Sequence, residues 1–375
     1  MKKNHSASVW MVGTSPKGKG GIASVIQEYD NAALFESGAV RFEPSHHDRS
    51  IWGRIVPFLR CSMKLWGGLL SGRVTLIHAH TSHGASFWRK TVLILPAFVL
   101  NVPAIVHLHG SDLMEFYSRG TRWRRHWMRF LFRHSFRVIA LSEEWKEWVR
   151  SVEPGAKVEV IFNSLPRQTG RGSRASFGPT PTVLFLGGIG KRKGAFDLLR
   201  AFAAVKATVP QARLVLAGNG DTERLLAEAE ALDVRDAIDC VGWIDGEHKS
   251  RLMNECWVFA LPSYREGLPM AIIEAMAFSR AIVSCPVGGI PHAVQHEQTG
   301  FLIQPGDVSE LARSLSRILS NRDTAERLGR AGRLAFEKKF SHDTTLPQVL
   351  SLYRLAGVAR LPQIRSPALH HGRPR

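Results

Sequence analysis

Two glutamates eight positions apart, Glu266 and Glu274, stand in the run Pro262-Ser-Tyr-Arg-Glu-Gly-Leu-Pro-Met-Ala-Ile-Ile-Glu-Ala-Met-Ala277. Carboxylates so placed can accept hydrogen bonds from sugar hydroxyls or take part in proton transfer. The run reads as a loop entering a helix. Pro262 and Gly267 punctuate the entry, and Pro269 suits a first helical position, where its missing N–H costs nothing. From Met270 to Phe278 nearly every residue is apolar, so the helix should be buried on most sides. A glutamate there is costly to bury unless it has a partner. For Glu274 that partner is either an internal ion pair or cap, or a ligand such as a pair of sugar hydroxyls.

Two glycine-rich loops offer matching chemistry. Gly13-Thr-Ser-Pro-Lys-Gly-Lys-Gly-Gly21 follows the apolar strand Val9–Val12, and Gly187-Gly-Ile-Gly-Lys-Arg-Lys-Gly194 follows Val183–Leu186. A strand, a glycine loop and a helix start can cradle a phosphate on backbone N–H groups. The spacing is neither GxGxxG nor a P-loop, so a plain surface loop is the other reading of the first. In the second, Lys193 beside Gly194 supplies a point charge for a diphosphate, or Lys191-Arg192-Lys193 is a solvated basic turn. His109 follows the strand Ala104–Leu108, at the strand end where open parallel sheets bind ligands.

The elements that must position these groups alternate. Strands with helices between them recur in both halves, which predicts an α/β chain with two doubly wound parallel sheets. The expected domains are residues 1–165, a Pro/Gly/Arg-rich linker at 166–181, and residues 182–340. A helix at 341–360 packs back on the first domain, and 361–375 is a disordered basic tail. Two such domains face each other across a cleft into which both glycine loops open. Within the first, Val74–His78 reads as a strand followed by a polar loop from His80 to Gly84. Ile51–Leu70 reads as an amphipathic helix weakened by Gly53, Pro57 and Gly67-Gly68.

Fifty Lys+Arg against 32 Asp+Glu give a formal net charge of +18, which favours polyanionic partners. Between Tyr117 and Ser142 there is no acidic residue. Arg119, Arg122, Arg124, Arg125 and Arg129 fall there, with Trp123 and Trp127 interleaved, and Arg133 and Arg137 continue the series. A solvated face would carry both signs; a membrane-surface helix with arginines on anionic headgroups would carry one. The four cysteines lack CxxC spacing and read as reduced, buried thiols rather than a disulfide frame or zinc site. No apolar run reaches the ~20 residues of a membrane span. The expected location is cytoplasmic, peripheral at the inner face of the cytoplasmic membrane. A nucleic-acid partner is not expected, since two complete nucleotide-type loops are more than a basic surface needs.

Six motifs in order over about half the chain resemble the C-terminal domain of family 4 glycosyltransferases of GT-B architecture. They are Leu-Phe-Leu-Gly-Gly-Ile-Gly-Lys-Arg-Lys-Gly (184–194), Ala-Gly-Asn-Gly (217–220), Val-Gly-Trp-Ile (241–244), the Glu-x7-Glu run (261–277), Pro-Val-Gly-Gly-Ile-Pro (286–291) and Thr-Gly-Phe-Leu-Ile-Gln-Pro-Gly-Asp (299–307). Upstream, Ile-His-Ala-His-Thr-Ser-His-Gly (77–84) and Val-His-Leu-His-Gly-Ser-Asp (106–112) resemble members that build bacterial exopolysaccharide, capsule or O-antigen. The resemblance implies a metal-independent retaining hexosyltransferase. Its co-substrate would be a UDP- or GDP-sugar, with no cofactor, and its acceptor a lipid-linked glycan.

By the same resemblance Glu274 holds the ribose, Glu266 contacts the sugar, and N–H groups from Gly267 and Leu268 receive sugar and phosphate oxygens. Lys193 stabilises the leaving diphosphate, supported by Lys191 or Arg192; no Asp-x-Asp triplet offers a metal that work. Trp243 and Ile244 flank the base, Gly20 and Gly21 lie under the diphosphate or acceptor, and His109 faces the reacting carbon. Two departures stand out: Gly188 where members usually carry arginine, and His292 where many carry an acid. Alternatives are a nucleotide-sugar epimerase of the same fold and a catalytically weak donor-binding partner.

Overall fold

Short β-branched runs bounded by glycine or proline supply the strands, and all but the last strand of the first half are followed by a helix that must cross back over the sheet. The computed structural model describes residues 8–18, 20–46, 51–170 and 177–362. Most of the tail expected at 361–375, part of the linker at 166–181, and Lys19 of the first glycine loop lie outside the described residues. The chain divides into two compact units, one of residues 1–166 with 342–375 and one of 167–341.

In the first unit the order is β1 (Ser8–Gly13), α1 (Gly21–Asn31), β2 (Val40–Pro44), α2 (Ile51–Leu70), β3 (Val74–Thr81), α3 (Ala85–Val99), β4 (Ala104–Leu108), α4 (Leu113–Ser118), α5 (Arg122–His134), β5 (Arg137–Ala140), α6 (Glu143–Val152) and β6 (Val158–Val160). The second holds β7 (Thr182–Leu186), α7 (Ala195–Thr208), β8 (Arg213–Ala217), α8 (Thr222–Ala231), β9 (Ile238–Gly242), α9 (Gly246–Glu255), β10 (Val258–Leu261), α10 (Met270–Ala277), β11 (Ala281–Ser284), α11 (Ile290–Ala293), β12 (Phe301–Leu302), α12 (Val308–Leu319) and α13 (Arg322–Lys339). The last helix, α14 (His342–Leu355), belongs to the first unit.

Each unit is built on one six-stranded parallel sheet, ordered β2-β1-β3-β4-β5-β6 and β12-β11-β10-β7-β8-β9. Strand order reverses between β1 and β3 in the first and between β7 and β10 in the second. Loops leaving the strands at such a reversal splay apart and open a crevice. The loops after β7 and β10 are the second glycine loop and the Glu266 segment. Both therefore flank one switch point.

Three points of the sequence reading are corrected. His80 is not in a loop: β3 runs on to Thr81, and His80 is fully buried in it. β2 is a strand that the sequence reading did not identify, whereas the helix expected at Ile51–Leu70 is present and runs unbroken for 20 residues despite Pro57. The arginine series is not one helix. Arg119 follows α4, Arg122 to Arg133 lie on α5, and Arg137 begins β5. Its single sign is also partly balanced from elsewhere, Arg119 pairing with Glu115 at 2.7 Å and Arg129 with Glu153 at 3.3 Å. Cys61, Cys256 and Cys285 are buried and Cys240 half-buried, all four as free thiols. Among the described residues, no helix is long and apolar enough to cross a membrane.

Candidate functional site

Helix α10 is the floor of the candidate site in the second unit. Its residues Ile272 to Ala277 are all buried, Glu274 among them at 9% exposure. Pro269 stands one place before the helix, as its N-cap residue in an extended conformation, rather than at the first helical position. Glu274 has a protein partner: Lys249 of α9 places its Nζ 2.7 Å from Oε1. Glu266, 8% exposed in the preceding loop, is bonded in the same way by Lys193 Nζ. Each carboxylate is thus compensated by one ammonium on another element, which is what burying the charge demands.

Backbone contacts lock the loops around this pair. Lys191–Lys193 form a 3-10 turn that ends at Gly194 with φ +70°. A Cβ on Gly194 would lie 2.1 Å from the Pro262 carbonyl oxygen, so only glycine lets the two loops close. Tyr264 N–H donates to the Arg192 carbonyl at 2.9 Å, and the Arg192 guanidinium to the Arg265 carbonyl at 3.3 Å. On the other side Gly289 N–H donates to the Gly267 carbonyl at 2.6 Å, and Gly288 passes close to the Glu266 backbone. Leu268 is buried beside them.

Lys191 and Arg192 are exposed, and so is Gly188, whose nearest neighbour to an added Cβ is the Asn219 carbonyl oxygen at 3.7 Å. Trp243, 44% exposed, and half-buried Ile244 follow β9, ahead of the helix that carries Lys249.

In the first unit the sequence candidates are more dispersed. Gly20 caps α1 with φ +122°, and Gly20 and Gly21 are both exposed at the N-terminus of a helix whose first N–H groups point outward. His109 sits just past β4, and its Nε2 lies 2.8 Å from His80 Nδ1. That contact is the end of a ladder. His78 and His80 on β3 share a sheet face with His107 and His109, because side chains two apart along a strand point the same way. Residues His80 and His107 are register partners. His78 Nε2 lies 3.2 Å from His107 Nδ1, and its Nδ1 lies 2.6 Å from the Tyr353 hydroxyl of α14.

Burial, which penalises the charged ring, pushes His78 and His109 down to about 3 and holds His80 and His107 well below the usual imidazole range. The rings are neutral near pH 7. The nitrogens of His78, His80 and His107 lie within 4.8 Å of one another, as a metal site would require. Their planes, however, are stacked, His78 on His80 at 4.6 Å and 20°. In-plane lone pairs on parallel rings do not converge on one point, so the cluster is better built as a hydrogen-bonded stack than as a tetrahedral centre.

Sequence reading missed both Lys249 and this ladder. The histidines were visible as two His-x-His pairs, but not that β3 and β4 would be neighbours in that register. For Lys249 there was no signal, since its contact depends on how α9 packs beside α10. The arginine-aromatic group stands on α4 and α5: Trp123 is 59% exposed and stacks on Trp88 at 4.8 Å, while Trp127 is half-buried. Arg124 lies over the Phe116 ring and Arg125 bonds the Tyr117 carbonyl.

Comparison with known proteins bears on both units. A family model described as "Glycosyl transferases group 1" matches residues 167–335, and one described as "Glycosyltransferase Family 4" matches residues 25–167. Glycogen synthase of Mycobacterium tuberculosis is 27% identical over 329 residues, 83% of this chain and 76% of that protein. A GDP-mannose-dependent alpha-(1-6)-phosphatidylinositol monomannoside mannosyltransferase of the same species is 29% identical over 259 residues, 67% and 64% of the two chains. Among solved structures, Anabaena HepE in complex with UDP-glucose superposes with a TM-score of 0.76 at 17% identity, covering 93% of this chain and 99% of the other.

Proposed function

This chain belongs to the family 4 glycosyltransferases of GT-B fold, and on that basis we propose that it moves a sugar, with retention of configuration, from a nucleoside-diphosphate donor to a lipid-linked glycan acceptor. The donor is assigned to the second unit and the acceptor to the first. The observation that carries the donor assignment is the pair of buried, lysine-compensated glutamates at the β7/β10 switch point.

In this reading Glu274 accepts the ribose hydroxyls through the oxygen that Lys249 leaves open. Glu266 accepts a hydroxyl of the sugar ring. Lys193, with two further N–H donors, neutralises charge on the leaving diphosphate, the work a metal does in other transferases. N–H groups of Gly267 and Leu268, just ahead of α10, lie where a helix start favours anions. Lys191 and Arg192 support the diphosphate in place of an arginine at Gly188, and Trp243 and Ile244 border the base. Gly20 and Gly21 serve the diphosphate or acceptor, and His109, held neutral, serves the reacting carbon from the first unit.

The donor class is supported by relatives: one is described with UDP-glucose and another is named as GDP-mannose-dependent. A lipid-linked acceptor is supported by the phosphatidylinositol substrate in the latter's name and by the arginines of α5. Cell-surface polysaccharide synthesis at the inner membrane face is the corresponding role. Incubating the protein with a panel of UDP- and GDP-sugars tests the reading. Slow release of UDP or GDP from one donor is expected; no release and no binding across the panel would refute it.

A further inference from the structure

Helix α2 has two apolar faces, and only one of them is used by the core. Cys61, Leu65 and Leu69 point inward and are buried. On the other side Ile55, Val56, Leu59, Met63, Trp66 and Leu70 are 43, 56, 53, 70, 50 and 73% exposed. At about 100° per residue these six fall within one arc of about 100°, along roughly 22 Å of helix. Single exposed apolar residues need no explanation, but six large ones in a continuous stripe mark a contact surface.

The surroundings identify the contact. α2 carries no acidic residue; exposed Arg60 borders the stripe on one side, with Lys64 beyond it paired to Glu43 of β2 at 2.7 Å. Helices α2, α3 and α5 rest on one shared buried cluster and so form a single layer on one face of the first sheet. α3 extends the apolar surface through exposed Val92, Val99 and Leu100. α5 adds exposed Arg122, Arg125, Arg129 and Arg133 with Trp123. An apolar stripe beside an excess of exposed cations complements an anionic lipid surface better than it does a mixed-charge protein surface.

We propose that this layer seats the protein on an anionic bilayer, with α2 lying in the boundary between headgroups and acyl chains. The stripe inserts, and the arginines of α5 meet phosphates beside it. This deepens the lipid-linked acceptor reading above, and it moves the main anchor from the arginine helix to α2. Attraction by arginines alone would vanish at high salt; insertion of six apolar side chains would not.

Co-sedimentation of the full chain with vesicles of phosphatidylcholine, with and without about a quarter phosphatidylglycerol, tests this at about 0.1 M and about 0.5 M salt. Wild type should bind the anionic vesicles and keep a salt-resistant fraction. A Leu59→Asn/Met63→Asn variant, altered only at exposed positions, should keep its melting temperature and lose roughly tenfold or more in binding. An Arg122→Ala/Arg125→Ala variant should lose the preference for anionic lipid but keep the salt-resistant fraction.

Equal vesicle binding by the α2 variant and wild type would overturn the proposal. So would a wild-type dimer that the α2 variant converts to monomer without any vesicle binding, since the face would then join two copies. Donor hydrolysis in vesicle-free buffer should match in wild type and the α2 variant. Its absence from both would count against the transferase reading alone, and the vesicle result would stand.

Discussion

Lowering the pH from 7 to 5 should destabilise the first unit far more than the second. His78, fully buried between His80, His107 and Tyr353, is held at about 3 by burial, against about 6.5 in an unfolded chain. A histidine whose folded value is depressed contributes stability that is complete above 6.5 and is lost as the pH falls, because only the unfolded state takes up the proton. Between pH 7 and 5 that loss is about 1.9 kcal/mol for one such ring. His342, held at about 4 mainly by burial, adds a similar amount.

His80 and His107 act in the same direction. The total is several kcal/mol, against a typical stability of about 5–15 kcal/mol. Lys90, lowered to about 7 chiefly by burial and bonded to Ser45 at 2.7 Å, has its own loss between about 10.5 and 7, so it adds little below pH 7. Urea titration followed by tryptophan fluorescence is a suitable assay, because eight of the ten tryptophans precede residue 167. A His80→Asn/His107→Asn variant should show a clearly shallower fall. A wild-type change below about 1 kcal/mol, or an unchanged slope in the variant, would refute the neutral-ladder account.

Two other substitutions probe the second unit. Lys249→Met removes the partner of buried Glu274, with an expected stability cost of about 1–3 kcal/mol because the lysine is itself one-third exposed. Donor KM should rise roughly tenfold with kcat little changed, Lys249→Arg should restore most of it, and steady-state kinetics will separate the two. Gly194→Ala forces an L-residue to φ +70° and a Cβ into the Pro262 carbonyl, so thermal melts should show a loss of roughly 2–4 kcal/mol.

Much of the second unit was legible because each motif is local. Pro262 to Ala277 states its loop, its helix and its buried charge within sixteen residues, and Asp307, which ends the 299–307 motif, caps α12 by accepting from Glu310 N–H at 2.9 Å. What was illegible depends on partners distant in sequence. The ladder needed the pairing of β3 with β4, and Arg119 after α4 and Arg129 of α5 found Glu115 and Glu153 outside the acid-free window. α2 was blurred for a different reason: Gly53, Pro57 and Gly67-Gly68 are helix breakers in sequence, yet the helix runs through all four.

The proposed transferase activity depends most on Glu274, the residue assigned to hold the donor. Hydrolysis of the preferred nucleotide sugar by Glu274→Ala, alongside a melting curve, tests that assignment most directly. Activity should fall at least roughly a hundredfold in a chain that remains folded, as expected when a buried hydrogen-bonding partner of the ligand is deleted. Near-normal hydrolysis by that variant would contradict the assignment.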